Sequence, residues 1–137
     1  MLKLIPMKVL VTGGAGFIGS HVNKLLLKEG HSVTVVDNLS KGHKDFLDPR
    51  VNFHQLSLKD QSALEKVLVG HDAVIHMASF IEVGESVKCP VEFAENNIVD
   101  TVKLLEAMKN TNVKRIIFSS SACVYGRPTK LPITEDD

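Results

Sequence analysis

Residues 9–21 read Val-Leu-Val-Thr-Gly-Gly-Ala-Gly-Phe-Ile-Gly-Ser-His, an apolar run that breaks into spaced glycines and resumes as a helical pattern. The spacing fits Gly14-x-Gly16-x-x-Gly19 or Gly13-x-x-Gly16-x-x-Gly19. Glycines at such a strand-to-helix turn let the backbone reverse sharply, approach phosphates closely and pack the helix against the sheet. The helix N-terminus then faces the negative charge of a dinucleotide pyrophosphate. Gly14 and Gly19 also have the interval of a nucleoside-triphosphate loop. That loop needs a lysine next, to reach the terminal phosphates, and Ser20 stands there instead.

Outward from this turn, short β-branched runs alternate with helical periodicity, the pattern of a parallel sheet covered on both faces. Strands are predicted at 9–12, 32–37, 51–56, 72–76 and 115–119. A first helix is predicted over 15–29, with Val22, Leu25 and Leu26 on its inner face and Gly30 as its stop. Asp60 caps a second, in which Leu64, Val67 and Leu68 share a face before Gly70. Pro90 opens a long third helix to about Lys109. There Val91, Ala94, Ile98, Thr101, Leu105 and Met108 make one stripe, with Phe93, Val99 and Leu104 off it; Glu82 and Glu85 fall in the loop ahead of it. The expected fold is a doubly wound, Rossmann-like α/β sheet in the order 3-2-1-4-5, with a ligand across the switch point between strands one and four. Asp37 ends the second strand, where a carboxylate accepts the hydroxyls of an adenosine ribose and repels a 2′-phosphate, favouring NAD over NADP.

The 137 residues suit one domain, and Lys+Arg and Asp+Glu number 16 each, so no net charge recommends a nucleic acid or an anionic membrane as partner. Cys89 and Cys123 lie far apart, without the spacing of a metal site, which fits reduced thiols in the cytoplasm. No metal site is expected, and no stretch approaches a membrane span. Residues 1–6 read as an N-terminal extension, with Met7 a candidate start; 127–137 read as a loop or frayed tail. His76, at a strand end, reads as a hydrogen-bonded structural residue.

Six stretches carry a resemblance: 11–21, Asp37-Asn38-Leu39, His76-Met77-Ala78, Val83-Gly-Glu-Ser-Val87, Asn96-Asn97 and Phe118-Ser-Ser-Ser-Ala-Cys-Val-Tyr-Gly126. Together they resemble the N-terminal part of the extended short-chain dehydrogenase/reductase family, on its UDP-glucose 4-epimerase branch. The resemblance implies NAD as cofactor. It places Gly13, Gly16, Phe17, Ile18 and Gly19 around the pyrophosphate and Asp37 and Asn38 on the adenosine ribose. Ser57 and Leu58 fall beside the adenine, Met77 and Ala78 along the cofactor, and Asn96 and Ser119 on its inner side. Ser121 matches a serine that hydrogen-bonds the sugar and helps proton transfer. A complete relative is expected to oxidise the C4 hydroxyl of a UDP-sugar and return hydride to the other face.

Departures from the family pattern are Ser57 in place of an aspartate, Ile81 in place of a lysine and Cys123 in place of a threonine. The family's tyrosine, with a lysine four residues later, is not found. Tyr125 is the only tyrosine, and Thr129 stands four residues on. The chain therefore reads as the NAD-binding part of a nucleotide-sugar epimerase, ending ahead of its acid/base pair and inactive alone. The alternatives are a non-catalytic NAD-binding or interaction module, or the front of a nucleotide-sugar dehydratase or reductase. Self-association through the 90–109 helix or an exposed sheet edge is also expected, with Phe93, Val99 or Leu104 uncovered.

Overall fold

Alternation along the strands decides which helix covers which side of the sheet. The structure, a computed structural model, describes residues 5–128 and 130–136; parts of the expected extension (1–4) and tail (Thr129, Asp137) lie outside them. Strands β1 (Lys8–Thr12), β2 (Ser32–Asp37), β3 (Asn52–Gln55), β4 (Ala73–His76) and β5 (Ile116–Phe118) form one sheet, all pairs parallel, in the order β3-β2-β1-β4-β5. Val11 lies between Val35 of β2 and Ile75 of β4.

Helices α1 (Phe17–Lys28), α2 (Gln61–Leu68), α3 (Val83–Lys88), α4 (Pro90–Ala94) and α5 (Asp100–Asn110) connect the strands, and a π-helical turn, Glu95–Val99, joins α4 to α5. Leu10, Val36 and Val74 point to one side, where they pack with Leu64 and Leu68 of α2 and Leu104, Ala107 and Met108 of α5. Val9, Val11, Val33 and Val35 point to the other, against the half-buried Leu26 and Leu27 of α1. Each fully buried leucine or valine contributes about 1.5–3 kcal/mol from water exclusion, so the two-sided alternation is the principal stabilisation of the sheet.

Local signals act as the sequence predicts at several ends. The Asp60 carboxylate accepts from the Ala63 N–H at 3.1 Å and caps α2. Gly30 and Gly70 follow α1 and α2 with φ of 87° and 81°.

Four expectations require correction. The first helix begins at Phe17, because Gly16 keeps an extended conformation as its N-cap. Leu25 is exposed, whereas Leu26 packs on the sheet as read; the buried residues of α1 are Gly19, Ser20 and Asn23, small or polar residues that let the helix approach the glycine turn. Glu85 belongs to helix α3 rather than to a loop, and Glu82 is its N-cap. The stripe read along 90–109 is also displaced. Met108 is buried as read, but Val91, Ile98 and Leu105 are exposed, whereas Asp100, Ala107 and Leu104, the last expected to be uncovered, are buried. Val91 is exposed ahead of the π turn, and Phe93, Asn97, Asp100, Leu104 and Ala107 keep a helical spacing through it, so the apolar count from Val91 started on the outward face.

Candidate dinucleotide-binding site

The site is built where β1 stops. Gly13 turns the chain with φ of 69° while its N–H donates to the Val36 carbonyl at 2.9 Å. A Cβ on Gly13 would lie 2.6 Å from the Ala78 nitrogen, so the turn presses directly on the segment leaving β4. A Cβ on Gly19 would overlap the Gly13 carbonyl oxygen, which brings the first turn of α1 against the glycine loop. Asn23, fully buried on α1, donates from Nδ2 to the Gly14 carbonyl at 2.9 Å and fixes that loop from behind.

Gly16 supplies no side-chain cap. The N–H groups of Phe17, Ile18 and Gly19 precede the first intrahelical carbonyl partner, and the Ser20 N–H is the first to find one, the Gly16 carbonyl at 2.9 Å. An uncapped N-terminus of this kind carries partial positive charge and free donors for an anion.

Asp37 stands beside it at the end of β2, 8% exposed. Ala15 N–H donates to its Oδ2 at 3.0 Å and Leu39 N–H to its Oδ1 at 2.8 Å. These bonds orient the carboxylate and occupy two of its roughly four acceptor positions, leaving two for ligand hydroxyls. Gly13, Gly16, Asp37, Asn38, Leu58 and Asn96 are among the residues lining a crevice of about 590 Å³. A second, of about 820 Å³, continues past Phe17, Ile18, Gly19 and Ser119. The two share Gly13, Gly16, Met77, Ala78 and Ser79, so they form one trough across the β1/β4 switch point.

The trough thus brings together every predicted cofactor residue except Ser57. Ser57 lines neither crevice; its Oγ accepts from the Lys59 N–H at 3.3 Å in the turn before α2. Ser121 also lies outside both, where its Oγ accepts from the Cys123 N–H at 3.2 Å and caps the short 3-10 helix Ala122–Tyr125.

The far wall is held by a chain of polar contacts that sequence reading only partly anticipates. Thr101 donates its hydroxyl proton to the Asn97 carbonyl at 2.9 Å, so its oxygen accepts from His76 Nε2–H, also at 2.9 Å. His76 Nδ1 then accepts from the Thr12 hydroxyl at 2.6 Å. Both ring nitrogens are used in the neutral form, and burial holds the imidazole below its ordinary value of 6.5. His76 is the structural residue the sequence suggests. Asn97 grips the loop after β4, accepting from Phe80 N–H and donating to Phe80 C=O, both at 2.9 Å. Its neighbour Asn96 lines the crevice; in the sequence the two differ only by position, and nothing in their type assigns these tasks.

Because the folded pKa of His76 is depressed, its contribution to stability is complete above about pH 6.5 and is lost as pH falls below it. Half-buried His71 is depressed for the same reason, desolvation. Urea unfolding at pH 7.5 and 5.5 is expected to show the native protein weaker at the lower pH, by at most about 1.4 kcal/mol per pH unit for each group. His76→Gln reduces that slope without abolishing it. An unchanged slope would contradict the neutral, buried assignment.

Residues 9–137 match the NAD dependent epimerase/dehydratase family. The chain is 49% identical over 132 residues to a UDP-glucose 4-epimerase of Lactobacillus helveticus, covering 95% of this chain and 40% of that protein. It is 46% identical over 140 residues to a UDP-glucose 4-epimerase of Schizosaccharomyces pombe, covering 93% of this chain and 39% of that one. Among solved structures, the UDP-glucose 4-epimerase of Brucella ovis in complex with NAD superposes with a TM-score of 0.84 at 43% identity, covering 96% of this chain and 41% of the other. The enzyme of Bifidobacterium longum in complex with NAD+ and UDP gives 0.82 at 43% identity, covering 94% and 41%. The chain thus spans about two-fifths of the length of the relatives it matches. On the glycine turn, the sheet order and these matches together, it belongs to the NAD dependent epimerase/dehydratase family.

Proposed function

We propose that this chain is the NAD-binding portion of a UDP-sugar 4-epimerase of the UDP-glucose type. The observation that carries the reading is the Asp37 carboxylate, clamped by the Ala15 and Leu39 N–H groups beside the uncapped start of α1. In it, Asp37 and Asn38 hold the adenosine ribose, and the N–H groups of Phe17, Ile18 and Gly19 hold the pyrophosphate. Met77, Ala78 and Ser119 line the path onward. When bound, NAD accepts hydride from the sugar C4 and returns it; the protein contributes position and electrostatics. The Ser121 oxygen already accepts from Cys123 N–H, which leaves its proton free to donate to a sugar hydroxyl.

A general acid/base pair is a different matter. Tyr125 has Thr129, not lysine, four residues on, so these residues by themselves are proposed to turn nothing over. A second reading, a non-catalytic NAD-binding module, is separated from the first by the measurements below. Among the described residues no helix is long and apolar enough to cross a membrane. The free thiols of Cys89 and Cys123 support a reducing, cytoplasmic setting. Exposed Ile117 and Phe118 on edge strand β5, with Val91, Ile98 and Leu105 on the 90–109 helix, support association of the chain with an apolar partner such as a second copy.

Calorimetry with NAD, NADP and UDP-galactose, beside a coupled assay of UDP-galactose conversion, tests these readings. NAD is expected to bind, NADP at least about tenfold more weakly because Asp37 repels a 2′-phosphate, and no sugar to be converted. Sugar binding without turnover favours the epimerase portion, NAD binding alone the module. Turnover abolished by Ser121→Ala would overturn the proposed lack of an acid/base pair.

A further inference from the structure

Asp100, at the start of α5, lines the crevice and carries a buried side-chain oxygen that no described residue bonds. It is 5% exposed, and its Oδ1 is buried without a partner. Leaving a buried carboxyl oxygen unbonded is costly, so such a group beside a crevice marks a place where something else completes it. Burial pushes its pKa up, opposed by the nearby Lys59 and Lys103 charges and reinforced by Glu95. Asn96 and Asp100, four residues apart, line the same crevice, while Asn97 and Thr101 hold the loop and His76 alongside. The Asn96 amide already donates to Asn97 Oδ1 at 2.8 Å.

What the crevice offers a ligand is graded along its length. Asp37, at the end of β2, is the ribose end. Beyond it Val36, Leu56 and Leu58 supply apolar surface suited to a flat base, and Asp100 lies on the helix that covers them. A base seated there meets an acceptor with no donor of its own. Adenine presents an exocyclic amino group, which donates; hypoxanthine and guanine present a carbonyl at the same carbon, which a carboxylate repels.

We propose that Asp100 reads the base of the bound dinucleotide, its carboxyl turning from its enclosed position to present an oxygen to the 6-amino group of adenine. The inference rests on the reading of the trough as an NAD site and adds to it a determinant of base selectivity. Ser57, which the family resemblance places beside the adenine, lines neither crevice, and its hydroxyl oxygen accepts from the Lys59 N–H in the turn before α2.

The test compares NAD with its hypoxanthine analogue by calorimetry on the full 137-residue chain, at about pH 8, above the ordinary carboxyl range. The native chain is expected to prefer NAD about tenfold to a hundredfold, the range for a hydrogen bond to a charged group. In Asp100→Ala the preference collapses to within about twofold, chiefly through weaker NAD binding. Asp100→Asn, whose amide offers either an acceptor or a donor, gains affinity for the hypoxanthine analogue. Without ligand, Asp100→Ala is expected to unfold at the same temperature as the native chain or higher, since it removes an unpaired buried carboxyl. Asp100→Ala retaining the native preference, or losing stability in place of the preference, would overturn the inference. Equal binding of both dinucleotides by the native chain overturns it while the NAD reading stands; binding of neither removes both.

Discussion

Gly19→Ala is expected to lose about 3 kcal/mol of stability and all measurable NAD affinity. The added Cβ overlaps the Gly13 carbonyl oxygen and comes within 2.8 Å of the Gly14 Cα. Both are backbone atoms of a loop already fixed by Asn23 and by the Val36 carbonyl, so neither yields cheaply. Helix α1 must move away, at the cost of about 1–3 kcal/mol typical of overpacking or somewhat more, and its first-turn donors move with it. Against a total stability of about 5–15 kcal/mol for an ordinary domain, the variant remains folded enough to assay. Gly84→Ala is the control. Nothing lies within 4 Å of its added Cβ, and replacing a helical glycine raises stability by about 0.5–1 kcal/mol. Urea unfolding and NAD calorimetry on both variants check the contrast. Equal behaviour would show that close packing at Gly19 has no functional weight.

The second large effect separates adjacent leucines. Leu104 is fully buried between the sheet and α2, whereas Leu105 is 47% exposed. Leu104→Ala is therefore expected to cost about 2–5 kcal/mol, and Leu105→Ala less than about 1 kcal/mol. The apolar stripe counted from Val91 gives the opposite ranking. The pair of unfolding curves thus measures which face of α5 the sheet and α2 cover. If Leu105→Ala is the more damaging substitution, the observed register is wrong.

These cases show where sequence speaks and where it is silent. The strands are legible because each is a short β-branched run ending at a turn, and five such runs with helices between them admit few arrangements. Asp37 is legible because its role needs only the end of the second strand and a neighbouring glycine turn. The π turn is not, because nothing in Glu95-Asn96-Asn97-Ile98-Val99 favours it locally. Tertiary bonds hold the segment instead: Asn97 with both backbone groups of Phe80, and Thr101 with the Asn97 carbonyl. Helix α3 escapes notice because it is six residues long with Gly84 near its start. Leu25 misleads because periodicity reports apolar residues, while the part of α1 nearest the sheet is filled by Gly19, Ser20 and Asn23 for closeness. Ser57 is near the crevice in sequence and absent from its lining in space, since its hydroxyl serves the turn leading to α2. Asp100 carries no sequence signal at all; only its burial and its unpartnered oxygen single it out.

The central claim is that a dinucleotide lies over the start of α1 with its ribose on Asp37. The most direct measurement is an NMR titration of the isotope-labelled chain with NAD, followed amide by amide. Saturable shifts are predicted at Phe17, Ile18, Gly19 and Leu39, with His31 and Gly70, at the opposite end of the sheet, unmoved. Amides of the glycine turn that stay fixed through millimolar NAD, or shifts confined to that opposite end, would contradict it.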